Sequence, residues 1–221
     1  MQEGLSFIWL VSFAVTFVSW IYLEWTWVRE GAFASRRKIT GCELARQVLD
    51  RNHLNRTAVA SSSERKGGRL GPDFNQLFLS EKIYYGTRLA DLASSLRDAS
   101  HLVEESGSFV PVSLRIRGGA FFRRGVLMAW FLILLGILLP VWKWIFHLGQ
   151  ILFVLAFFLV LVSWVEEGER SQRAFSSLTL LDGLGPDELA RMKRLLKAMR
   201  WTPFAELIRI PLRVIRWPIR I

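Results

Sequence analysis

Apolar residues in this chain fall into three charge-free blocks separated by stretches of mixed polarity. From Leu5 to Leu23 there is no charged residue, and Phe7, Ile8, Leu10, Val11, Phe13, Val15, Phe17, Val18 and Ile21 fill almost every turn. About 20 helical residues cross a hydrocarbon core about 30 Å thick, so the block predicts a transmembrane helix over 5–27. Trp20, Tyr22, Trp25 and Trp27 gather at its far end, where amphipathic rings favour the headgroup layer. The second block runs from Gly125 to Trp142 and the third from Leu148 to Val165, with only Lys143, Trp144, Ile145, Phe146 and His147 between them. A single helix of about 40 residues would be about 60 Å long, twice the bilayer, so two spans folded back near Pro140 are predicted.

Helical periodicity replaces unbroken apolarity elsewhere. Thr40 and Glu43 fit a capping box ahead of Leu44, Val48 and Leu49, which predicts a short helix ending near Asn52. Residues 56–75 hold Gly67-Gly68 and Gly71-Pro72-Asp73, all turn formers, and Leu77-Phe78-Leu79-Ser80 reads as a strand edge, short strands and an irregular loop both being compatible. Leu89, Leu92, Ala93, Leu96, Ala99, Leu102 and Val103 predict a helix over Ser80–Ser106 with a break at Gly86. Pro186 at an early position, with Asp187 and Glu188 behind it, opens a further helix carrying Leu189, Met192, Leu195, Leu196 and Met199. From Phe204 to Ile221 apolar residues alternate with Arg209, Arg213, Arg216 and Arg220, one cationic face interrupted by Pro211 and Pro218. That is the pattern of an interfacial amphipathic helix, because four arginines in a fourth span would each cost about 2.5–3.5 kcal/mol.

The fold class expected is therefore mainly α: an integral membrane protein with three transmembrane helices, one N-terminal and two in a C-terminal hairpin. A small, mostly helical polar domain fills 28–124, and a basic helical tail fills 166–221. Charge sets the orientation. No Lys or Arg precedes the first span, whereas Arg29, Arg36, Arg37 and Lys38 follow it, Arg115, Arg117, Arg123 and Arg124 precede the hairpin, and its turn holds Lys143 alone. Basic flanks stay inside, so the polar domain and C-terminus are expected to be cytoplasmic, with the N-terminus and hairpin tip outside. Glu3 among the first residues argues for an anchor over a cleaved signal peptide.

The net charge of +10 suits nucleic acid or an anionic membrane face, and the apolar blocks decide for the membrane. Anionic lipid headgroups are the expected surface partner, through Arg209, Arg213, Arg216 and Arg220, and no nucleic acid is expected. Cys42 stands alone, which rules out an internal disulfide framework or thiolate metal cluster. Gly67-Gly68 lacks the G-K-S/T of a P-loop, and no Ser, His and Asp set sits in a nucleophile elbow. His53 and His147 are isolated. His101, with Asp98 and Glu105 nearby, invites a metal reading; a polar helix face with i, i+4 contacts to Arg97 or Glu105 is the simpler account.

Four segments resemble, in order, those of the bacterial membrane-bound neutral zinc metallopeptidases. Thr40-Gly41-Cys42-Glu43-Leu44-Ala45-Arg46 is similar to that family's T-G-x-E-x-A-R helix start, and Leu79-Ser80-Glu81-Lys82-Ile83-Tyr84 to its L-S-x-x-x-Y segment. Ser94 to Leu102 falls where the family carries its zinc helix, and Glu166-Glu167-Gly168-Glu169-Arg170-Ser171-Gln172-Arg173-Ala174 resembles its V-E-F-x-A-S-x-R-A. The resemblance implies a metallopeptidase-like cytoplasmic domain in a multi-pass protein of the bacterial inner membrane. It also implies zinc, held by an H-E-x-x-H pair of histidines and a later Glu, with the first Glu acting on the metal-bound water.

At that pentad this chain reads Arg97-Asp98-Ala99-Ser100-His101. A permanent guanidinium replaces the first imidazole, Asp98 replaces the base with a shorter side chain, and His101 and Glu167 are the ligand positions that remain. Catalytic zinc normally takes three protein ligands. The expectation is thus a catalytically inactive relative that needs no cofactor and serves as scaffold or accessory subunit to other integral membrane proteins in a larger assembly. Two alternatives stand beside it: an active zinc protease with a rearranged set such as His101, Glu104 or Glu105, and Glu167, and an anionic-lipid-binding surface protein. An Arg97–Glu167 charge pair in place of a metal bridge is conceivable, solvation of both being the simpler expectation.

Overall fold

The computed structural model describes residues 2–62, 69–70, 76–105, 112–139, 142–179 and 184–215. The elements run α1 (Gln2–Gly31), α2 (Gly41–Arg51), β1 (Ala58–Ser62), β2 (Arg69–Leu70), β3 (Gln76–Ser80), α3 (Glu81–Tyr84), α4 (Leu89–Glu105), α5 (Val112–Leu138), α6 (Lys143–Thr179), α7 (Pro186–Met199) and α8 (Thr202–Ile215). The fold is mainly α, as the periodicity predicts. Glu3–Gly31, Phe121–Leu138 and Lys143–Val165 are long and apolar enough to cross a membrane. The chain divides into two compact units, one of 1–23, 110–166 and 201–221, the other of 24–109 and 167–200.

The first unit holds the apolar helices. Ser12, Thr16 and Ser19 lie buried on α1, and each hydroxyl donates to the carbonyl four residues back, so the polar stripe is satisfied inside its own helix. α5 and α6 form the hairpin and meet through glycine. A Cβ on Gly136 would lie 2.6 Å from the Phe146 backbone, and one on Gly149 would lie 2.8 Å from the Ile133 nitrogen. Such backbone approach between membrane helices needs small residues. Phe153, Val126, Ala129 and Val160 form the core here, joined by Phe204, Leu207 and Ile210 of α8. The apolar face of α8, expected to rest on lipid, is instead covered by protein; an amphipathic pattern specifies an apolar neighbour without naming it.

The second unit carries the polar domain. The capping box of α2 is formed as its sequence predicts, with the Thr40 hydroxyl accepting from the Glu43 N–H and the Glu43 carboxylate accepting from the Thr40 N–H. The segment left open between strand and loop does form strands. They are ordered β1-β3-β2, with β1 parallel to β3 (Ala58 opposite Gln76) and β2 antiparallel to it (Leu70 opposite Leu77). Leu77 and Leu79 point from β3 into a core with Leu44, Leu49, Leu92 and Leu96. The expected break at Gly86 separates α3 from α4. Glu30, at the end of α1, is buried between Arg191, 2.9 Å away, and Arg194, 3.1 Å away, which ties that end to α7.

Candidate functional site

α4 is held by its apolar face, where Leu89, Leu92, Ala93, Leu96, Ala99 and Leu102 are all buried. Helical spacing then fixes what the other positions present. Ser95 donates to the Gly41 carbonyl and clamps α4 against α2, while Arg97 and Asp98 come next along the helix. The partner for Arg97 comes from the polar end of α6. That helix continues unbroken past its apolar part to Thr179 and places Glu167, Ser171, Ala174 and Leu178 on one buried face.

Arg97 Nε lies 2.6 Å from Glu167 Oε1, the carboxylate side chain being 5 % exposed. The expectation that both groups are merely solvated is therefore overturned. A buried carboxylate at this position needs a cation, and Arg97 supplies one. Asp98 sits beside the pair. Burial pushes its carboxyl up to about 6, opposed by the Arg97 cation and reinforced by the Glu167 anion. The Arg200 guanidinium packs over Gly168, where a Cβ would lie 2.8 Å from Arg200 Nε. The sequence reading missed Arg200, because nothing in its spacing links the end of α7 to α6. The Ser100 and Ser171 hydroxyls are buried without a hydrogen-bond partner among the described residues.

His101 belongs to α4, one turn beyond Arg97, as do Glu104 and Glu105; the side chains of all three lie outside the described set. Of the proposed cationic face, Arg209 and Arg213 are on α8 in the first unit, and Arg216 and Arg220 lie outside the described residues. Glu206 joins that face, 2.6 Å from Arg213 and 3.9 Å from Arg209. His147 is engaged with Gln150, its Nδ1 being 3.0 Å from Oε1. His53 takes a positive φ of 61° in the turn after α2.

The donor chemistry of Arg97, Asp98 and Glu167 does not fit a zinc ion. Where a first nitrogen ligand is needed there is a permanent cation, and that cation already meets the carboxylate that a metal would claim. Among the described residues, no group of three or more His, Cys, Asp or Glu side chains converges elsewhere. What the arrangement can do is bridge α4 to α6 through charge, with an adjacent carboxyl able to exchange a proton near neutrality.

No curated protein and no solved structure matches the chain. A family model described as "Putative neutral zinc metallopeptidase" matches residues 5–220. With the match running through all three apolar helices and the α4–α6 site alike, the chain belongs to that neutral zinc metallopeptidase family.

Proposed function

We propose that this chain is a catalytically inactive member of its family, serving as a scaffold or accessory subunit for other integral membrane proteins in a larger assembly. In this reading it is a multi-pass protein of the bacterial inner membrane, with the polar domain on the cytoplasmic side. The observation that carries the proposal is the Arg97–Glu167 pair at 2.6 Å, which closes with charge the gap that a metal closes when histidine occupies the first position. A scaffold keeps the fold while dispensing with the ligand set. One observation favours the rival, an active protease: Asp98, at the place of the family's general base, is pushed up to about 6, a useful range for a base near neutrality.

Copurification from native membranes tests the proposal directly. Stable partners, no stoichiometric zinc and no peptide hydrolysis are the expected results. A chain that always runs alone, or zinc that disappears on His101→Ala together with hydrolysis, would transfer the assignment to the protease.

A further inference from the structure

Where α1 ends, the second unit builds another charged arrangement, independent of whether the α4–α6 site ever held a metal. Gly31 packs so closely on α4 that a Cβ there would lie 2.7 Å from the Ala90 Cβ. The residues after it run antiparallel to the segment before α4, with Ala34 bridged to Arg88. The Ser35 N–H donates to the Thr87 carbonyl and the Leu89 N–H to the Phe33 carbonyl, each at 2.8 Å. Ser35 is buried, and a turn follows in which the Lys38 N–H donates to the Ser35 carbonyl at 3.0 Å. Arg36 and Arg37 occupy the tip of that turn, both exposed. Lys38 leaves it at a φ of 54°, a left-handed conformation that glycine or asparagine adopts more readily. Arg88 is exposed across from Ala34.

Four cations are therefore carried on one hydrogen-bonded piece of backbone. Carboxylates meet two of them in part: Asp187 lies 3.6 Å from Arg36, and Asp91, one turn along α4, interacts with both Arg88 and Lys82. Arg37 and Lys38 have no carboxylate partner among the described residues.

Position gives this charge its partner. The Arg29 guanidinium lies 4.8 Å over the ring of exposed Trp25, a cation–aromatic pair suited to the headgroup layer. The turn begins four residues after Gly31, the end of a helix long and apolar enough to cross a membrane, a reach of at most about 14 Å. Exposed Ala32, Phe33 and Ala34 come before the cations. Apolar first and charged next is the order of a bilayer surface, whereas an acidic protein segment would call for the charge alone. A basic cluster just outside a membrane helix is drawn to anionic lipid over about a Debye length.

We propose that the 35–38 turn and Arg88 form a contact surface for anionic phospholipid headgroups, holding the start of the polar domain on the leaflet where α1 emerges. Arg88 belongs to this juxtamembrane cluster although it is remote in sequence, because the backbone bonds at residues 33, 35, 87 and 89 bring it there.

Trypsin tests the contact on the full, unlabelled chain in nanodiscs, because it cuts after Arg36 and Arg37. Cuts after Arg51 and Arg56, exposed in the same unit, serve as the internal reference. Relative to that reference, discs containing phosphatidylglycerol should slow cleavage of the turn by about tenfold or more against discs of phosphatidylcholine alone, and high salt should remove the protection. K38Q/R88Q leaves both cut sites in place. It should weaken headgroup attraction about 25-fold, about fivefold for each charge, and return cleavage to within about twofold of its rate in phosphatidylcholine. K38R/R88K, which keeps the charge, should keep the protection, separating charge loss from misfolding. Equal cleavage in the two lipids, protection that survives salt, or protection retained by K38Q/R88Q would overturn the proposal. Protection by polyglutamate in phosphatidylcholine discs, with none from phosphatidylglycerol, would overturn it in favour of an acidic protein partner.

Discussion

Arg97 illustrates how one side chain changes what a helix can hold. Its removal takes from buried Glu167 a cation held at 2.6 Å, so Arg97→Ala is expected to cost about 3 kcal/mol of stability, measured by denaturant unfolding in detergent. Arg97→His gives a sharper result, because it restores an imidazole four residues ahead of His101 on α4. The variant should gain a zinc-dependent rise in Tm that the parent lacks; the same zinc response in both would mean that Arg97 does not exclude the metal. Asp98 makes a pH prediction. Its folded-state pKa of about 6 lies above the usual aspartate value of 3.8, so between those two values the folded protein holds the proton more tightly than the unfolded chain. Stability should therefore fall as pH rises from about 4 to about 6, by up to about 3 kcal/mol in total from this group. Asp98→Asn should flatten that slope and raise Tm near neutrality. Motif order placed Arg97, Asp98 and Glu167 at related positions and raised the charge pair as one of two readings, yet could not choose it over solvation, since α4 and α6 meet only in three dimensions.

Individual elements were legible wherever the signal is local. The α2 capping box is written in Thr40 and Glu43 alone, and Thr40→Ala should cost about 1 kcal/mol by the same unfolding measurement. The break at Gly86 and the start of α7 at Pro186 are similarly local. α8 is the opposite case. Its alternating pattern predicts an amphipathic helix and is silent on whether protein or lipid covers the apolar face. Nor does the sequence reveal that Trp130 supplies the hydrogen bond that Pro211 withholds. Trp130→Phe should leave the Leu207 carbonyl unsatisfied at a cost of roughly 1–3 kcal/mol. In a Pro211→Ala background the residue 211 N–H returns and the same substitution should cost clearly less. A double-mutant cycle reads that difference, and strict additivity would mean that the indole and the proline do not share this carbonyl.

At the scale of the molecule, the three apolar helices were legible because lipid imposes length and composition on a single segment, whereas the short sheet was not, because each of its strands gains meaning only from a neighbour. The basic flanks add a claim about sidedness that local geometry does not carry: Arg29, Arg36, Arg37 and Lys38 after α1, and Arg123 and Arg124 at the head of the hairpin, against Lys143 alone in its turn. Positive flanks resist translocation, so the polar domain and the C-terminus should share the cytoplasmic face. The chain supplies its own probe, since Cys42 is its single cysteine and lies in α2 of the polar domain. A membrane-impermeant maleimide should leave it unlabelled in intact spheroplasts and label it in inverted vesicles, slowly, because the half-buried thiol is beside Tyr84. In a Cys42→Ser background, Lys143→Cys should show the reverse pattern, labelled from outside and protected in inverted vesicles. Labelling of Cys42 in intact spheroplasts would invert the topology. It would also remove the basis for a cytoplasmic accessory role, because the Arg97–Glu167 unit would then face partners on the other side of the membrane.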